Sequence, residues 1–207
     1  MSGVLRNTPV IDDEEILCGI RGWVEIETPS PDGNAVNRLA DVVQSEAMAL
    51  GGQVERIPGR DGYGDILTVR SPWGGDEPGI LILSHLDTVH AVGTLERANP
   101  FRRDGDRVYG PGIFDMKSGA YLAFYAFQHL VRSGQETPLP LTFLYVPEEE
   151  IGSPTSRQVI EDTAQKNKYV LVTEPAHNGL CCTARKGVLH VEMKVYGQPA
   201  HAGSRHQ

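Results

Sequence analysis

Three apolar segments of this chain each run into a residue able to bind a metal cation, and that pairing narrows the folds open to it. Gly79-Ile80-Leu81-Ile82-Leu83-Ser84 leads into His85-Leu86-Asp87. Leu141-Thr142-Phe143-Leu144-Tyr145-Val146-Pro147 leads into Glu148-Glu149-Glu150, and Tyr169-Val170-Leu171-Val172-Thr173 leads into Glu174-Pro175. Short apolar runs rich in β-branched and aromatic residues predict strands buried on both faces, as in a parallel sheet. Ligands of open α/β sheets gather beyond the carboxyl ends of the strands. These charged residues stand at those ends, and three such coincidences point to a single site.

The segments between the strands read as helices. Residues 12–27 carry Ile16, Ile20, Trp23 and Val24 on one side, with Asp12 and Asp13 placed to cap. Residues 34–50 repeat Val36, Leu39, Ala40, Val43, Ala47 and Leu50 at helical spacing and meet Gly51-Gly52. Between these helices, Thr28-Pro29-Ser30-Pro31-Asp32-Gly33 reads as a break. Residues 54–56 and 65–70 predict two strands around a turn at residues 60–64. Residues 118–131 are apolar nearly all round and call for burial against a sheet. A weaker helix is expected over residues 156–165. Residues 89–116 form a long irregular stretch, of a length usually kept for function.

Strands alternating with helices indicate an α/β protein, with a three-layer α/β/α domain on a mostly parallel sheet. Past Arg185-Lys186-Gly187 the pattern becomes an alternation of Val188, His190 and Glu192 against Leu189, Val191 and Met193, as in a strand with one wet face. The expected division is therefore 1–187 and 188–207, the second being the opening of a smaller domain.

Bulk properties remove several functions. The 207 residues hold 27 acidic against 19 basic side chains, a net charge of −8, which disfavours nucleic acid as a partner. No apolar stretch reaches the ~18 residues of a membrane span. The first seven residues contain no apolar signal core, so export is not expected. Cys18, Cys181 and Cys182 are an odd set with two neighbours, which reads as reduced, partly buried thiols of a cytoplasmic protein.

Each candidate residue has a plain reading beside the chemical one. His85 and Asp87 share a face in extended backbone. They are either a core histidine near an incidental acid or a metal ligand with the carboxylate that orients it. Asp115, within Tyr109-Gly110-Pro111-Gly112-Ile113-Phe114-Asp115-Met116-Lys117-Ser118-Gly119, either complements the start of the next helix or is held there to reach cations. Glu148, Glu149 and Glu150 are either a solvated acidic corner or a cluster whose repulsion bound cations relieve, with one Glu as ligand and its neighbour as base. Glu174 alone is an ordinary surface acid beside a proline.

Taken together, Ser84-His85-Leu86-Asp87-Thr88-Val89, the Gly110–Gly119 segment, Pro147-Glu148-Glu149-Glu150-Ile151-Gly152-Ser153 and Thr173-Glu174-Pro175 resemble a known family in order and spacing. It is that of the dizinc exopeptidases and amidohydrolases, which includes glutamate carboxypeptidase, acetylornithine deacetylase, succinyl-diaminopimelate desuccinylase and the aminoacylases. Asn99-Pro100-Phe101 and Asp104-Gly105-Asp106-Arg107-Val108-Tyr109 are most similar to glutamate carboxypeptidase.

The resemblance implies roles. His85 binds one metal and Asp87 orients it. Asp115 bridges two metals, often through a cis peptide to the next residue. Glu149 is the general base, Glu150 binds one metal and Glu174 the other. Gly197-Gln198-Pro199-Ala200-His201-Ala202-Gly203 is similar to the start of the family's lid and dimerisation domain, with His201 helping to hold the oxyanion. The cofactor implied is two Zn2+, with Co2+ or Mn2+ as possible replacements. The substrate is a small peptide or N-acyl amino acid, and the full-length form is a homodimer. Family members are longer, so this chain lacks one expected metal ligand and the residues that grip the substrate carboxylate. The expected activity is hydrolysis of an amide bond beside a C-terminal carboxylate. The alternatives are an N-acyl-amino-acid deacylase and a non-catalytic, truncated metal-binding fragment.

Overall fold

The computed structural model describes residues 10–176, 178–184, 186–187, 189 and 191–197. Helix α1 (Asp13–Val24) begins where the Asp12 carboxylate accepts the N–H groups of Glu14 and Glu15, at 2.9 and 3.1 Å. It buries Ile20, Trp23 and Val24 and stops there, short of residue 27. The following residues are drawn elsewhere: the Ile26 carbonyl accepts from Lys117 Nζ, and Thr28 and Ser30 bond along residues 86–88. Helix α2 (Gly33–Ala49) is capped by Asp32, which accepts from the Ala35 N–H at 3.0 Å. Its apolar stripe of Val36, Leu39, Ala40, Val43 and Ala47 is buried, and Gly51, at φ 78°, ends the turn beyond it.

Strands β1 (Gln53–Ile57), β2 (Ile66–Arg70) and β3 (Ile80–His85) follow. The stretch expected to be irregular contains a short helix, α3 (Thr94–Arg97), and a hairpin of β4 (Arg102–Asp104) and β5 (Arg107–Tyr109). The two-residue turn of that hairpin is Gly105-Asp106, and Gly105, at φ 58°, takes the first central position, where positive φ suits glycine. Helix α4 (Ser118–Ser133), β6 (Leu141–Val146), α5 (Arg157–Gln165) and β7 (Tyr169–Val172) complete the order.

The main sheet runs β1-β2-β6-β3-β7. β3 lies between β6 and β7, parallel to both, whereas β2 is antiparallel to β1 and β6. Alternate side chains feed two cores. Leu67, Val69, Ile82, Leu141, Phe143 and Tyr145 join α1, α2 and α4, with Trp23, Phe124 and Phe127 at the centre. Ile66, Leu81, Leu144 and Val146 point the other way, toward Val159, Ile160 and Ala164 of α5. Helices thus lie on both faces of a mixed sheet, which is the expected α/β class in three layers.

The chain divides into two compact units, Met1–Pro175 and Ala176–Gln207. In the second, the described side chains of Leu180, Leu189, Val191, Met193, Val195 and Tyr196 are exposed. The alternating segment expected as a strand forms none at its described residues, which find no strand partner among the described residues. All three cysteines are free, and they are exposed rather than partly buried. Cys18 faces outward from α1, away from the buried Trp23 and Val24. Among the described residues, no helix is long and apolar enough to cross a membrane.

Candidate metal centre

The parallel ladder carries the site. His85 closes β3 opposite Val146, the last residue of β6. Three residues beyond Val146 the chain enters a tight turn, Glu149–Ile151, and two residues beyond Val172 of β7 it reaches Glu174. Three strand ends therefore deliver an imidazole and three carboxylates to one edge. The fourth carboxylate comes from the helical layer. Ile113–Lys117 winds one wide turn ahead of α4, interrupted at Asp115 and Met116, whose backbones are not helical. The Asp115–Met116 peptide is cis. Gly112, at φ 67°, opens this turn, and its carbonyl accepts the Lys117 N–H at 3.0 Å.

His85 Nε2 lies 3.2 Å from Asp115 Oδ1, 3.4 Å from Glu174 Oε1 and 3.8 Å from Glu149 Oε2. Two triads of donor atoms each fall within 4.8 Å: His85 with Glu149 and Glu174, and His85 with Asp115 and Glu150. The imidazole is buried, while Asp115 and Glu149 are about half exposed, so the site opens to solvent on its acidic side. His201 and most of the Gly197–Gly203 segment lie outside the described residues.

Asp87, fully buried, connects the pieces. Its backbone carbonyl lies 3.0 Å from His85 Nδ1 and its Oδ1 3.3 Å from the same nitrogen, and Oδ1 accepts the Glu149 N–H at 3.1 Å. Its Oδ2 accepts the Ser30 hydroxyl at 2.6 Å and the Glu150 N–H at 3.3 Å. Of the three consecutive glutamates, Glu148 is the buried one. Its Oε1 accepts from Thr155 N, Thr155 Oγ1 and Ser156 N at 2.7 to 3.0 Å, which closes the loop behind Glu149 and Glu150. The run is therefore neither a solvated corner nor three equivalent ligands.

Five carboxylates (Asp87, Asp115, Glu149, Glu150 and Glu174) surround a single imidazole. Burial disfavours a charged His85, but Asp87 and Glu174 outweigh it and pull the ring up to about 11. Asp115 is raised by burial and by the charge of Glu174, against the pull of His85. Burial, with the surrounding carboxylates, also raises Glu149 and Glu150. Surplus negative charge around one nitrogen donor is the imbalance that a divalent cation relieves, and mixed nitrogen and oxygen donors suit zinc, cobalt or manganese. The residues present fit a metal.

Two contributors were not singled out in the sequence. Lys117 is buried. Its ammonium donates to the Trp23 and Ile26 carbonyls at 3.2 and 2.6 Å, tying the Asp115 turn to the end of α1. Burial pushes it down to about 7, against the pull of Glu27 and Asp87. A lysine two residues after a candidate ligand, inside an otherwise apolar turn, was the available signal. Ser30, between two prolines, carried no periodic or spacing signal at all.

A buried imidazole ringed by acids at the carboxyl edge of a three-layer sheet defines a metal-binding α/β domain. Residues 81–202 match the model of peptidase family M20/M25/M40, and the chain belongs to that family. Its members are metallopeptidases, for which a divalent cation, typically zinc, is implied. The chain is 32% identical over 204 residues to carboxypeptidase G2 of Pseudomonas sp. (strain RS-16), covering 97% of this chain and 49% of that one. It is 25% identical over 194 residues to a succinyl-diaminopimelate desuccinylase of Rickettsia massiliae, covering 87% and 49%. The chain thus spans about half the length of these relatives. Among solved structures the fold is similar to human carnosine dipeptidase 1, with TM-score 0.66, 17% identity and coverage of 77% of this chain and 38% of that one. It is also similar to the M20 family metallo-carboxypeptidase Sso-CP2 of Sulfolobus solfataricus, with TM-score 0.61, 21% identity and coverage of 79% and 37%.

Proposed function

We propose that this chain is the metal-binding portion of a carboxypeptidase that hydrolyses an amide bond next to a C-terminal carboxylate. The observation that carries the reading is the convergence of His85, Asp115, Glu149, Glu150 and Glu174 into two donor triads that share one imidazole. Membership of the peptidase family and the likeness to carboxypeptidase G2 support the reaction class.

The residues that would hold two divalent ions, zinc by preference, are His85, Asp115, Glu150 and Glu174. Such cations would supply Lewis acidity toward the scissile carbonyl and toward a water molecule. Asp87 fixes the His85 ring through Nδ1, leaving Nε2 directed at the carboxylates. Glu149, half exposed and with its pKa raised, is placed to take a proton from the attacking water and return it to the leaving amine. His201 is assigned to the oxyanion, in a lid domain that begins near residue 188. The full-length form is read as a cytoplasmic homodimer acting on small peptides.

A second reading, N-acyl-amino-acid deacylase, uses the same residues with another pocket and is favoured by the likeness to a desuccinylase. A panel of peptides ending in glutamate against N-acetyl and N-succinyl amino acids, given to the full-length protein, separates the two. The third reading, a non-catalytic fragment, is tested on the 207-residue chain itself. Two ions per chain with turnover exclude it.

A further inference from the structure

We propose that Ser30 is a positioning residue of the metal centre: its hydroxyl, donating to Asp87 Oδ2, sets the carboxylate that holds the Glu149–Glu150 amides and lies against His85 Nδ1. The inference rests on the metal-centre reading above.

Asp87 has two oxygens and four neighbours, and it is fully buried, so no water competes for its orientation. Three of those neighbours belong to the segments being positioned. Ser30 alone comes from outside them, and its 2.6 Å contact is the shortest of the four. That distance is typical of a hydroxyl donating to an ionised carboxylate. The hydroxyl has one proton. Its competing acceptor, the Thr88 carbonyl, is at 3.4 Å, which leaves Asp87 as the better partner.

The backbone around Ser30 is built to hold that hydroxyl still. The Ser30 N–H donates to the Thr88 carbonyl at 3.2 Å, and the Thr88 N–H donates to the Thr28 carbonyl at 2.8 Å. The Thr28 hydroxyl donates to the Leu86 carbonyl at 2.7 Å. Residues 28–30 therefore lie along 86–88 as a short parallel bridge through Pro29 and Thr88. On the far side Lys117 Nζ grips the Ile26 carbonyl. The segment that joins α1 to α2 is thus braced against both the Asp87 strand end and the Asp115 turn. Partners that touch metal ligands typically matter roughly 10- to 100-fold in metal affinity, and Ser30 stands one contact further out, behind Asp87.

The test uses the 207-residue chain with Co2+ as the probe, read by visible absorption, and with Zn2+ affinity measured by chelator competition. Ser30→Ala is expected to weaken Zn2+ binding by up to about 10-fold, the lower end for a group that touches a ligand directly, and to alter the Co2+ band, with far-ultraviolet circular dichroism unchanged. Ser30→Thr restores both. Should Ser30→Ala fail to fold, the Ser30→Thr and Ser30→Val pair, which differ by hydroxyl against methyl, gives the same comparison. Val43→Ala, in the buried stripe of α2, serves as a variant of lowered stability away from Asp87, and it should bind Co2+ with an unchanged band. Unaltered binding and absorption by Ser30→Ala overturn the inference. So does a loss in Val43→Ala equal to that in Ser30→Ala, because affinity would then follow stability alone. His85→Ala separates the two layers: if it abolishes binding while Ser30→Ala is silent, only the role of Ser30 falls. If the unaltered chain binds neither ion, the metal-centre reading falls and takes this inference with it.

Discussion

Gly119, in the first turn of α4, lies so close to Thr173 that a β-carbon on it would stand 1.9 Å from the Thr173 carbonyl oxygen. Four residues before Gly119 is Asp115, and one residue after Thr173 is Glu174. This contact therefore sets how near the helical layer brings its carboxylate to the one at the end of β7. Gly119→Ala forces backbone against backbone. We expect a loss of about 1–3 kcal/mol in chemical denaturation, together with weaker metal binding as Asp115 and Glu174 move apart. A variant of unchanged stability and affinity would show the contact to be yielding.

Metal should stabilise the folded chain, since its donors are gathered only after folding. At a free ion concentration of ~100 Kd the gain is about 2.7 kcal/mol, visible as a rise in Tm on adding Zn2+ and reversed by a chelator. His85 belongs to both donor triads. His85→Ala should accordingly abolish the rise, whereas replacing a remote surface acid should not.

Glu149→Ala, made in an active full-length form, should lower kcat by about 100- to 10,000-fold while bound metal stays in place. Metal content by atomic spectroscopy and turnover on the same sample distinguish a proton carrier from a ligand. Near-normal turnover, or loss of metal in step with activity, would refute the role given to Glu149.

Glu46 gives a pH signature away from the site. Burial raises its pKa above the usual 4.5, with the nearby Trp23 indole opposing in part. The fold therefore prefers the protonated acid. The penalty is absent below about pH 4.5, where folded and unfolded chains are both protonated, and it is complete once pH exceeds the folded pKa. Glu46→Gln should raise Tm at neutral pH and have no such benefit near pH 4. A Tm difference that is flat with pH would contradict the assignment.

The parts of the fold that depend on neighbouring residues were legible in the sequence. Asp12, one of the two expected caps, caps α1, the stripe from Val36 to Ala47 faces the core, and the runs ending at His85, Val146 and Val172 are the three strands of the parallel ladder; the Asp32 cap was hidden in what read as a break. The candidate ligands were readable for the same reason: each follows its strand or turn at short range. What depends on distant pairing was not readable. Nothing in the pattern of residues 66–70 tells β2 to run antiparallel to β6, because that register is decided by contact with residues 142–145. The break at Thr28-Pro29-Ser30 has no apolar period, yet it bonds to a segment almost sixty residues away. Glu148 differs from Glu149 and Glu150 only through Thr155 and Ser156, which fold back over it.

The donors of the metal centre are carried by strands that are adjacent in space and remote along the chain, with His85 on β3 and Glu174 just past β7. During synthesis, the imidazole leaves the ribosome long before its last carboxylate partner. A nascent chain halted before β7 would hold His85, Asp115 and the glutamate turn but not the triad that includes Glu174. Capture of the full metal complement is in that sense a late event, and bound metal would report that the sheet has closed.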